Sequence, residues 1–236
     1  MTQPDPTPSP EHLSLPDTTA LPDTTALPDT TALPETIALP DTTAVLLAAG
    51  EGRRLGRGPK ALLPLGGEPL VAVLTRRLLE GGCRDVLVVT GAYADEVGAV
   101  ARDAGARVAE SPLWRTGMAV SLRVGVAAAD APHLMLALVD HVGLSPALVR
   151  RVLGAHRPGR ATAASYPGPD GRLLRRHPVL LEAADARAAA AEAHGDRGAR
   201  DWLHRHSDRV DLVDCGDLDD GGDLDTIADL SRLARR

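Results

Sequence analysis

The spacing of apolar residues changes repeatedly between two periods from residue 43 onward. Short continuous apolar runs predict strands at 45–48, 85–90, 106–109, 134–139, 161–165 and 210–213. Between them, apolar residues recur at helical spacing, which predicts helices at 70–79, 94–104, 118–129, 146–155, 183–193, 199–204 and 227–235. The run at 134–139 is apolar throughout, as in a strand covered on both faces. This alternation predicts a single α/β domain over residues 43–236 with a mostly parallel sheet.

The first 42 residues follow a different pattern. The hexapeptide LPDTTA begins at Leu15, Leu21, Leu27 and Leu39, and the variant LPETIA begins at Leu33. A proline at every sixth position excludes a continuous helix, so residues 1–42 are predicted to be a disordered tail. A left-handed β-helix also uses hexapeptides that begin with an aliphatic residue, but five repeats would complete fewer than two coils.

Charge is distributed unevenly between these two parts. The tail holds seven of the 32 acidic residues and none of the 26 basic ones, so the rest of the chain is close to neutral. A near-neutral domain lacks the basic surface that nucleic acid or an anionic membrane requires. The chain begins without a basic and apolar leader, and it has no apolar run of membrane-spanning length. We therefore predict a soluble cytoplasmic protein that binds neither nucleic acid nor membrane.

A glycine-rich loop follows the first predicted strand. Residues 46–65 read LLAAGEGRRLGRGPKALLPL, with Gly50, Gly52, Arg54 and Lys60 inside the loop. Glycines let backbone N–H groups approach phosphate oxygens, and the cations supply charge for a triphosphate and its leaving pyrophosphate. The glycine spacing differs from GxGxxG, and the P-loop pattern fails at its last residues. The loop thus predicts a phosphate site of another type.

Carboxylates mark two further places. Asp140 follows the apolar run LMLALV, where the carboxyl end of a parallel strand would bring it to the edge that carries the glycine loop. A carboxylate there can bind a hard divalent cation, or it can cap the following turn. In the segment GGDLDTIADL, Asp223 and Asp225 have the spacing that places both side chains on one face of an extended chain. Asp225 or Thr226 is expected to cap the last helix.

The loop resembles the signature LAAGxGxRMGxxPKxLLxxxGxPL of the MobA-like nucleotidyltransferases. Leu55 stands where that family has methionine. The matching positions are Leu47, Ala48, Ala49, Gly50, Gly52, Arg54, Gly56, Pro59, Lys60, Leu62, Leu63, Gly67, Pro69 and Leu70. The resemblance extends over residues 45–233. It implies a Rossmann-like three-layer domain of the nucleotide-diphospho-sugar transferase type, preceded by the tail.

The resemblance also implies roles for individual residues on the nucleotide side. Arg54, Lys60 and Asp140 would be catalytic. Gly117 and Ser121 lie in WRTGMAVSLRVG, which is similar to the family's W..G...SL..G segment, although Ser121 could instead bond to a backbone carbonyl. Nucleotide-binding residues would be Leu47, Ala48, Ala49, Gly50, Gly52, Lys60, Gly117 and Ser121.

A Mg²⁺ ion would be held by Asp140 and Asp223, as implied by two family motifs. Asp140 lies in VDHVG where relatives have ADMP or VDQP, and Asp223 opens a segment similar to (N/D)xxTPEDL. His141 is expected to be a loop side chain and not a ligand. Two segments resemble acceptor-side elements of the family: HPVL at 177–180, where Arg176 replaces a glycine, and GDRGAR at 195–200.

Together these motifs imply transfer of a nucleoside monophosphate from CTP or GTP to a phosphorylated small molecule, with release of pyrophosphate. Ala49 gives LAAG where guanylyl-transferring relatives have LAGG, so the pattern favours CTP and is most similar to molybdenum cofactor cytidylyltransferases, with molybdopterin as an acceptor. Two alternatives stay open: a sugar-phosphate or phospholactate nucleotidylyltransferase, and a noncatalytic nucleotide-binding protein. The departures at Val142, Arg176 and Ile227 would suit the latter.

Overall fold

The computed structural model of the chain describes Met1 and residues 39–234. Apart from Met1, these belong to the second of two units, Ile37–Arg236. Nearly all of the predicted tail, 1–42, lies outside the described residues, and its disorder stays a prediction. No helix in the described part of the chain combines the length and apolar character needed to cross a bilayer.

The described residues form nine strands and seven α-helices that alternate along the chain. The strands are β1 Thr42–Leu47, β2 Pro64–Leu65, β3 Glu68–Pro69, β4 Asp85–Thr90, β5 Arg107–Glu110, β6 His133–Leu138, β7 Ala161–Pro167, β8 Leu173–Glu182 and β9 Val210–Asp214. The helices are α1 Leu70–Glu80, α2 Ala94–Asp103, α3 Met118–Ala128, α4 Pro146–Gly154, α5 Ala183–Glu192, α6 Arg200–Arg205 and α7 Ser231–Ala234. Short 3₁₀ turns include Arg53–Leu55, Lys60–Leu62, Trp114–Thr116 and Ile227–Leu230.

Seven of these strands form one sheet in the order β5-β4-β1-β6-β8-β7-β9, and β2 pairs with β3 in a small hairpin. Within the large sheet, β8 runs antiparallel to both of its neighbours, and every other pairing is parallel. Alternate residues of the strands feed two separate cores. One face packs on α1, α2 and α4, and the other packs on α3, α5 and α6. The predicted three-layer α/β fold is confirmed.

The order of the strands fixes where a ligand can bind. From β1 the chain builds outward to β4 and β5 on one side, and then returns to place β6 on the other. The carboxyl ends of β1 and β6 therefore border a crevice at a topological switch point, which is where open α/β sheets bind ligands. The glycine loop leaves β1 at this crevice, and Asp140 follows β6 at the same edge.

Three elements differ from the predictions. The first strand begins at Thr42, three residues early, because Thr42 and Thr43 pair with β6 and are fully buried. The predicted terminal helix is a 3₁₀ turn followed by the short α7. Strand β8 was missed because Arg175, Arg176 and Pro178 interrupt its apolar pattern.

Only the second half of β8 pairs with β6; the first half pairs with β7 alone, past a register shift between Ala163 and Ser165. The residues of that first half thus extend past the end of the parallel strands. They form a wall beside the crevice.

Candidate active site

The glycine loop bends back on itself directly after β1. Gly52 has a left-handed backbone (φ 72°), and a Cβ there would collide with the carbonyl oxygen of Gly58. A side chain at this position would force the loop open, which explains the need for glycine. The base of the loop is tied to the neighbouring strand by hydrogen bonds from Ala48 N–H to the Val89 carbonyl (2.9 Å) and from Ala92 N–H to the Ala49 carbonyl (3.0 Å).

The loop forms one side of a cavity of about 430 Å³, which we call the first cavity. It contains most of the residues predicted for the nucleotide site: Leu47, Ala49, Gly50, Gly52, Lys60, Gly117, Ser121 and Asp140. Ala48 does not line it, because its side chain packs in the core on the opposite face of the sheet. The side chain of Arg54 lies outside the described part of the chain, so its predicted contact with phosphate stays a prediction. Arg53 lines the cavity and pairs with Glu51 (2.6 Å).

Lys60 lies at the centre of this cavity, between two carboxylates that are distant in sequence. Its Nζ donates to Oδ2 of Asp140 (2.9 Å) and to Oδ1 of Asp225 (2.8 Å), and its side chain is 17 % exposed. Burial alone would lower the pKa of Lys60, but the charges and hydrogen bonds of Asp140 and Asp225 outweigh burial and raise it. The lysine is therefore a fixed ammonium at neutral pH.

This lysine is the only one in the chain, whose other 25 cationic side chains are arginines. A compact ammonium with three rotatable donors can bridge two carboxylates in a way that a planar guanidinium cannot reproduce. Sequence reasoning identified Lys60 from its motif and overlooked this singularity, which is visible in the composition. Sequence reasoning also did not predict that Asp225 binds Lys60.

Asp140 has an oxygen that is available for a further ligand. Oδ2 accepts from Lys60, while Oδ1 is buried and has no hydrogen-bond partner among the described residues. Such an orphaned carboxylate oxygen fits a divalent cation, which prefers oxygen ligands.

The second predicted ligand, Asp223, lies within electrostatic range of Asp140. Burial, followed by the charge of Asp140, raises the pKa of Asp223, while His141 and Arg176 act in the opposite direction. The residues present thus fit a two-carboxylate cation site completed by ligand oxygens. No group of three or more metal-binding side chains occurs in the described part of the chain.

Asp223 and Asp225, predicted to lie on one face of an extended segment, line two adjoining cavities. Asp225 lines the first cavity, whereas Asp223 lines a neighbouring one. The predicted cap is present: the Thr226 side chain and Asp229 form a capping box at the following 3₁₀ turn.

Two segments that are 70 residues apart in sequence meet at the first turn of α3. Gly117 has φ 123°, and a Cβ there would lie 2.6 Å from the carbonyl oxygen of Gly195. That carbonyl accepts from Ala119 N–H (2.9 Å), and Asp196 accepts from Met118 N–H (3.2 Å). Ser121 donates to the buried hydroxyl of Ser111 (3.2 Å) and not to a backbone carbonyl. The structure thus brings the predicted nucleotide segment and the predicted acceptor segment into direct contact.

A second cavity of about 510 Å³ adjoins the first. Both are lined by Leu47, Met118, Leu138 and Asp196, so the two are continuous along this border. Its other lining residues come from β6, β8, α3, α6 with the loop before it, and Asp223. Residues 177–180 and 195–200, predicted for the acceptor side, contribute His177, Val179 and most of the loop to this cavity.

His177 is held in one tautomer. Its Nδ1 donates to the carbonyl oxygen of Leu136 (3.2 Å), and burial lowers its pKa, so the imidazole is neutral.

His141 lies in a loop, as expected, but its side chain is buried and paired. It is 2 % exposed, its Nε2 bonds to Oδ2 of Asp219 (2.9 Å), and its ring lies edge-on to Tyr166. The pair joins the loop that carries Asp140 to the loop that carries Asp223. Sequence reasoning missed it because the two residues are 78 positions apart.

Comparisons with known proteins agree with this arrangement. The chain is 47 % identical over 178 residues to nicotine blue oxidoreductase of Paenarthrobacter nicotinovorans, covering 74 % of this chain and 87 % of that protein. It is 33 % identical over 169 residues to the molybdenum cofactor guanylyltransferase of Burkholderia vietnamiensis, covering 70 % and 82 %.

A solved structure shows the same fold with a metal. Rv0371c of Mycobacterium tuberculosis, solved in complex with manganese, superposes with a TM-score of 0.60 at 28 % identity and covers 82 % of this chain and 97 % of that one. The family model of the MobA-like NTP transferase domain matches residues 44–210. This range includes residues of β1, β6 and β8 that line the two cavities. The chain therefore belongs to the MobA-like NTP transferase family.

Proposed function

We propose that this protein transfers a nucleoside monophosphate from its triphosphate to the phosphate of a small molecule and releases pyrophosphate. CTP is the favoured donor and GTP the second, and molybdopterin is a candidate acceptor. The observation that supports this proposal most is the position of Lys60, bound by Asp140 and Asp225 in a cavity bordered by the glycine loop.

In this proposal the first cavity holds the triphosphate. The backbone of residues 50–52 would face the phosphates, and Lys60 would stabilise charge on the leaving pyrophosphate, together with Arg54. An oxygen of the acceptor phosphate forms a bond to the α-phosphorus, and the bond to the β-phosphate oxygen breaks with its electron pair on pyrophosphate. Since a phosphate acceptor is already anionic, the protein need not supply a nucleophile.

Asp140 and Asp223 would hold a Mg²⁺ ion, whose charge neutralises phosphate oxygens when it is bound. Asp140 can serve both cations, because Oδ2 bonds to Lys60 and Oδ1 is unpartnered. Asp223 lines the second cavity, which the proposal assigns to the acceptor. The two carboxylates would thus fix the donor and the acceptor relative to each other.

The preference for CTP rests on Ala49, which lines the first cavity. Its Cβ lies close to the backbone of Gly91, which packs against Trp114. We place the reaction in the cytoplasm, where nucleoside triphosphates are available; both cysteines are free and buried, which suits a reducing compartment.

Isothermal titration with the four common nucleoside triphosphates tests the donor half of this proposal. We expect binding that requires Mg²⁺, is strongest for CTP, and is followed by pyrophosphate release once an acceptor phosphate is added. A chain that binds none of the four would contradict the proposal. Tighter binding of GTP would be consistent with nucleotidyl transfer but would make GTP, and not CTP, the favoured donor.

A second candidate function comes from the relative that is 47 % identical, which is named an oxidoreductase. A reduced nicotinamide dinucleotide also carries phosphates that could occupy the first cavity. The two functions separate in one experiment, because a reductase would bleach nicotine blue at the expense of the reduced dinucleotide and would release no pyrophosphate. Bleaching without pyrophosphate release would favour this candidate over nucleotidyl transfer.

A further inference from the structure

A buried side-chain pair joins the two loops that carry Asp140 and Asp223. His141 directly follows Asp140, and its Nε2 bonds to Oδ2 of Asp219, four residues before Asp223 (2.9 Å). The side chains are almost fully enclosed, since His141 is 2 % exposed and Asp219 is 6 % exposed. Breaking this bond would leave both groups away from water, so the pair holds the two loops in one arrangement.

A backbone contact joins the same loops on the other side of Asp223. The carbonyl oxygen of Asp140 accepts from Leu224 N–H (2.9 Å) and from Val142 N–H (3.0 Å). Leu224 is itself fully buried in the core. Asp223 therefore lies in the chain between two attachment points, Asp219 and Leu224, and each is bonded to a residue that follows β6.

The surrounding residues allow the carboxylate of Asp219 to reach His141. A Cβ on Gly143 would collide with that carboxylate, so a side chain there would displace it. Gly221 has φ 66° and donates its N–H to the same Oδ2 (3.1 Å), and a Cβ on it would collide with the ring of Tyr166. That ring lies edge-on to His141. The pair thus depends on two close approaches that only glycine permits.

We infer that His141 and Asp219 are positioning residues for the cation site, and that they set the position of Asp223 relative to Asp140 before any ligand binds. The inference rests on the proposed function, which assigns a cation to those two carboxylates. His141 and Asp219 are not among the described residues that line the two cavities, so they act through the carboxylates. Carboxylates that are fixed in advance lose less freedom when a cation binds, which favours binding.

Binding of Mn²⁺ alone to the full chain tests this inference, with electron paramagnetic resonance reporting the free ion and no nucleotide present. His141→Leu removes the donor to Asp219, and we expect the Kd for Mn²⁺ to rise about tenfold or more. His141→Gln retains an amide donor, and should keep the Kd within about threefold of the parent value. A parent that binds no Mn²⁺, an unchanged Kd in His141→Leu, or equal losses in both variants would overturn the inference.

Gly143→Ala reaches the same pair without altering either member. Its new Cβ would push the carboxylate of Asp219 away from His141, so we expect the Kd for Mn²⁺ to rise about threefold or more. This variant decides the question should His141→Leu fail to fold. A folded Gly143→Ala protein with the Kd of the parent would contradict the inference.

Two controls separate positioning from general stability. His133→Leu removes a histidine from the opposite end of β6, where its Nδ1 donates to the carbonyl oxygen of Asp41 (3.2 Å). Val152→Ala truncates a fully buried side chain of α4. Both should lower the free energy of unfolding in urea and leave the Kd for Mn²⁺ unchanged. A Kd that rose as much in Val152→Ala as in His141→Leu would reduce the pair to a structural role and overturn the inference.

Failure of this inference differs from failure of the proposed function. Weaker Mn²⁺ binding by His141→Leu, in a protein that releases no pyrophosphate from any triphosphate, would retain the positioning role and overturn the transfer reaction. Pyrophosphate release with the same Kd for Mn²⁺ in the parent and in His141→Leu would retain nucleotidyl transfer and overturn the positioning role.

Discussion

The two cavities share a border but are held together by different means. The first is built from backbone and from ion pairs between distant elements: the loop at 50–60 bends on its own glycines, and Lys60 ties the end of β6 to the last loop of the chain. The second is built mainly from side chains that project from β6, β8, α3 and α6 and from the loop before α6.

This difference has a consequence for how each cavity tolerates change. A substitution in the first cavity alters contacts that also position the loop and Asp140. At the second cavity, Arg175 is held by the Leu203 carbonyl, whereas Arg176 is exposed and hydrogen-bonds to no other element among the described residues. Side chains of the second cavity can therefore vary while the arrangement of the first cavity is retained.

Replacing Lys60 by alanine should have the largest effect. We expect turnover to fall by about 10²- to 10³-fold, because the pyrophosphate loses its fixed cation. Pyrophosphate release measures the effect, and circular dichroism checks the fold. Arg53→Ala, at a lining side chain that is 74 % exposed, should reduce turnover far less. If Lys60→Ala retained turnover, the role given to Lys60 would be wrong. If the parent protein released no pyrophosphate, a noncatalytic nucleotide-binding role would be favoured.

The pair Asp223→Asn and Asp225→Asn separates cation binding from positioning of Lys60. Asp223→Asn should raise the Mg²⁺ concentration needed for half-maximal turnover about tenfold or more. Asp225→Asn removes one partner of Lys60, so we expect a lower kcat with an unchanged Mg²⁺ requirement. Turnover measured over a Mg²⁺ series distinguishes them. The reverse pattern would exchange the two assignments.

Gly117→Ala tests the wall between the cavities. The new Cβ would lie 2.6 Å from the Gly195 carbonyl oxygen at a φ of 123°, so we expect a loss of about 2 to 3 kcal/mol in the free energy of unfolding. Gly56→Ala also replaces a glycine of positive φ, here 60° in the ordinary left-handed region, with open space around the new Cβ, and should cost about 1 kcal/mol. Urea unfolding compares the two. Equal losses would mean that the contact with Gly195 is not a constraint.

The ion pairs of Lys60 also predict a dependence of stability on pH. Its pKa in the folded protein is raised above the ordinary 10.5, so its stabilising contribution is fully present below that pH and is lost as pH rises through the folded pKa. The difference in unfolding free energy between the parent and Lys60→Met should thus be constant near neutral pH and shrink as the pH rises through the raised pKa of Lys60. A difference that grew with pH would contradict the raised pKa.

Deleting residues 1–38 should have the smallest effect on either cavity. The deletion retains Leu39, whose side chain reaches Gly82. We expect turnover and Mg²⁺ dependence to change by less than about twofold, since the cavities are lined by residues from 47 onward. A large loss in pyrophosphate release would show that the repeats take part in the reaction.

The sequence predicted the first cavity well because its determinants are local. The glycine loop is continuous along the chain, and Asp140 follows an apolar strand whose end the topology places at the crevice. The pairing of Lys60 with Asp225 joins residues 165 positions apart, so no local pattern could indicate it.

The second cavity was less predictable because long-range register determines it. Arg175, Arg176 and Pro178 do not read as a strand, yet β8 exists because β6 and β7 both offer it antiparallel partners. The motif resemblance predicted HPVL and GDRGAR as acceptor elements, but the apolar lining contributed by Leu122 and Leu136 emerges only when β6, β8 and α3 are assembled.

Because Lys60 is the single lysine of the chain, its amino group can serve as an experimental reporter. Apart from the N-terminus, Lys60 carries the one primary amine that an acylating reagent could modify. Two carboxylates keep that amine protonated, and hence a poor nucleophile, as long as they hold it. A mass increment on Lys60 would therefore report the molecules in which the two carboxylates have released the amine, without any turnover assay.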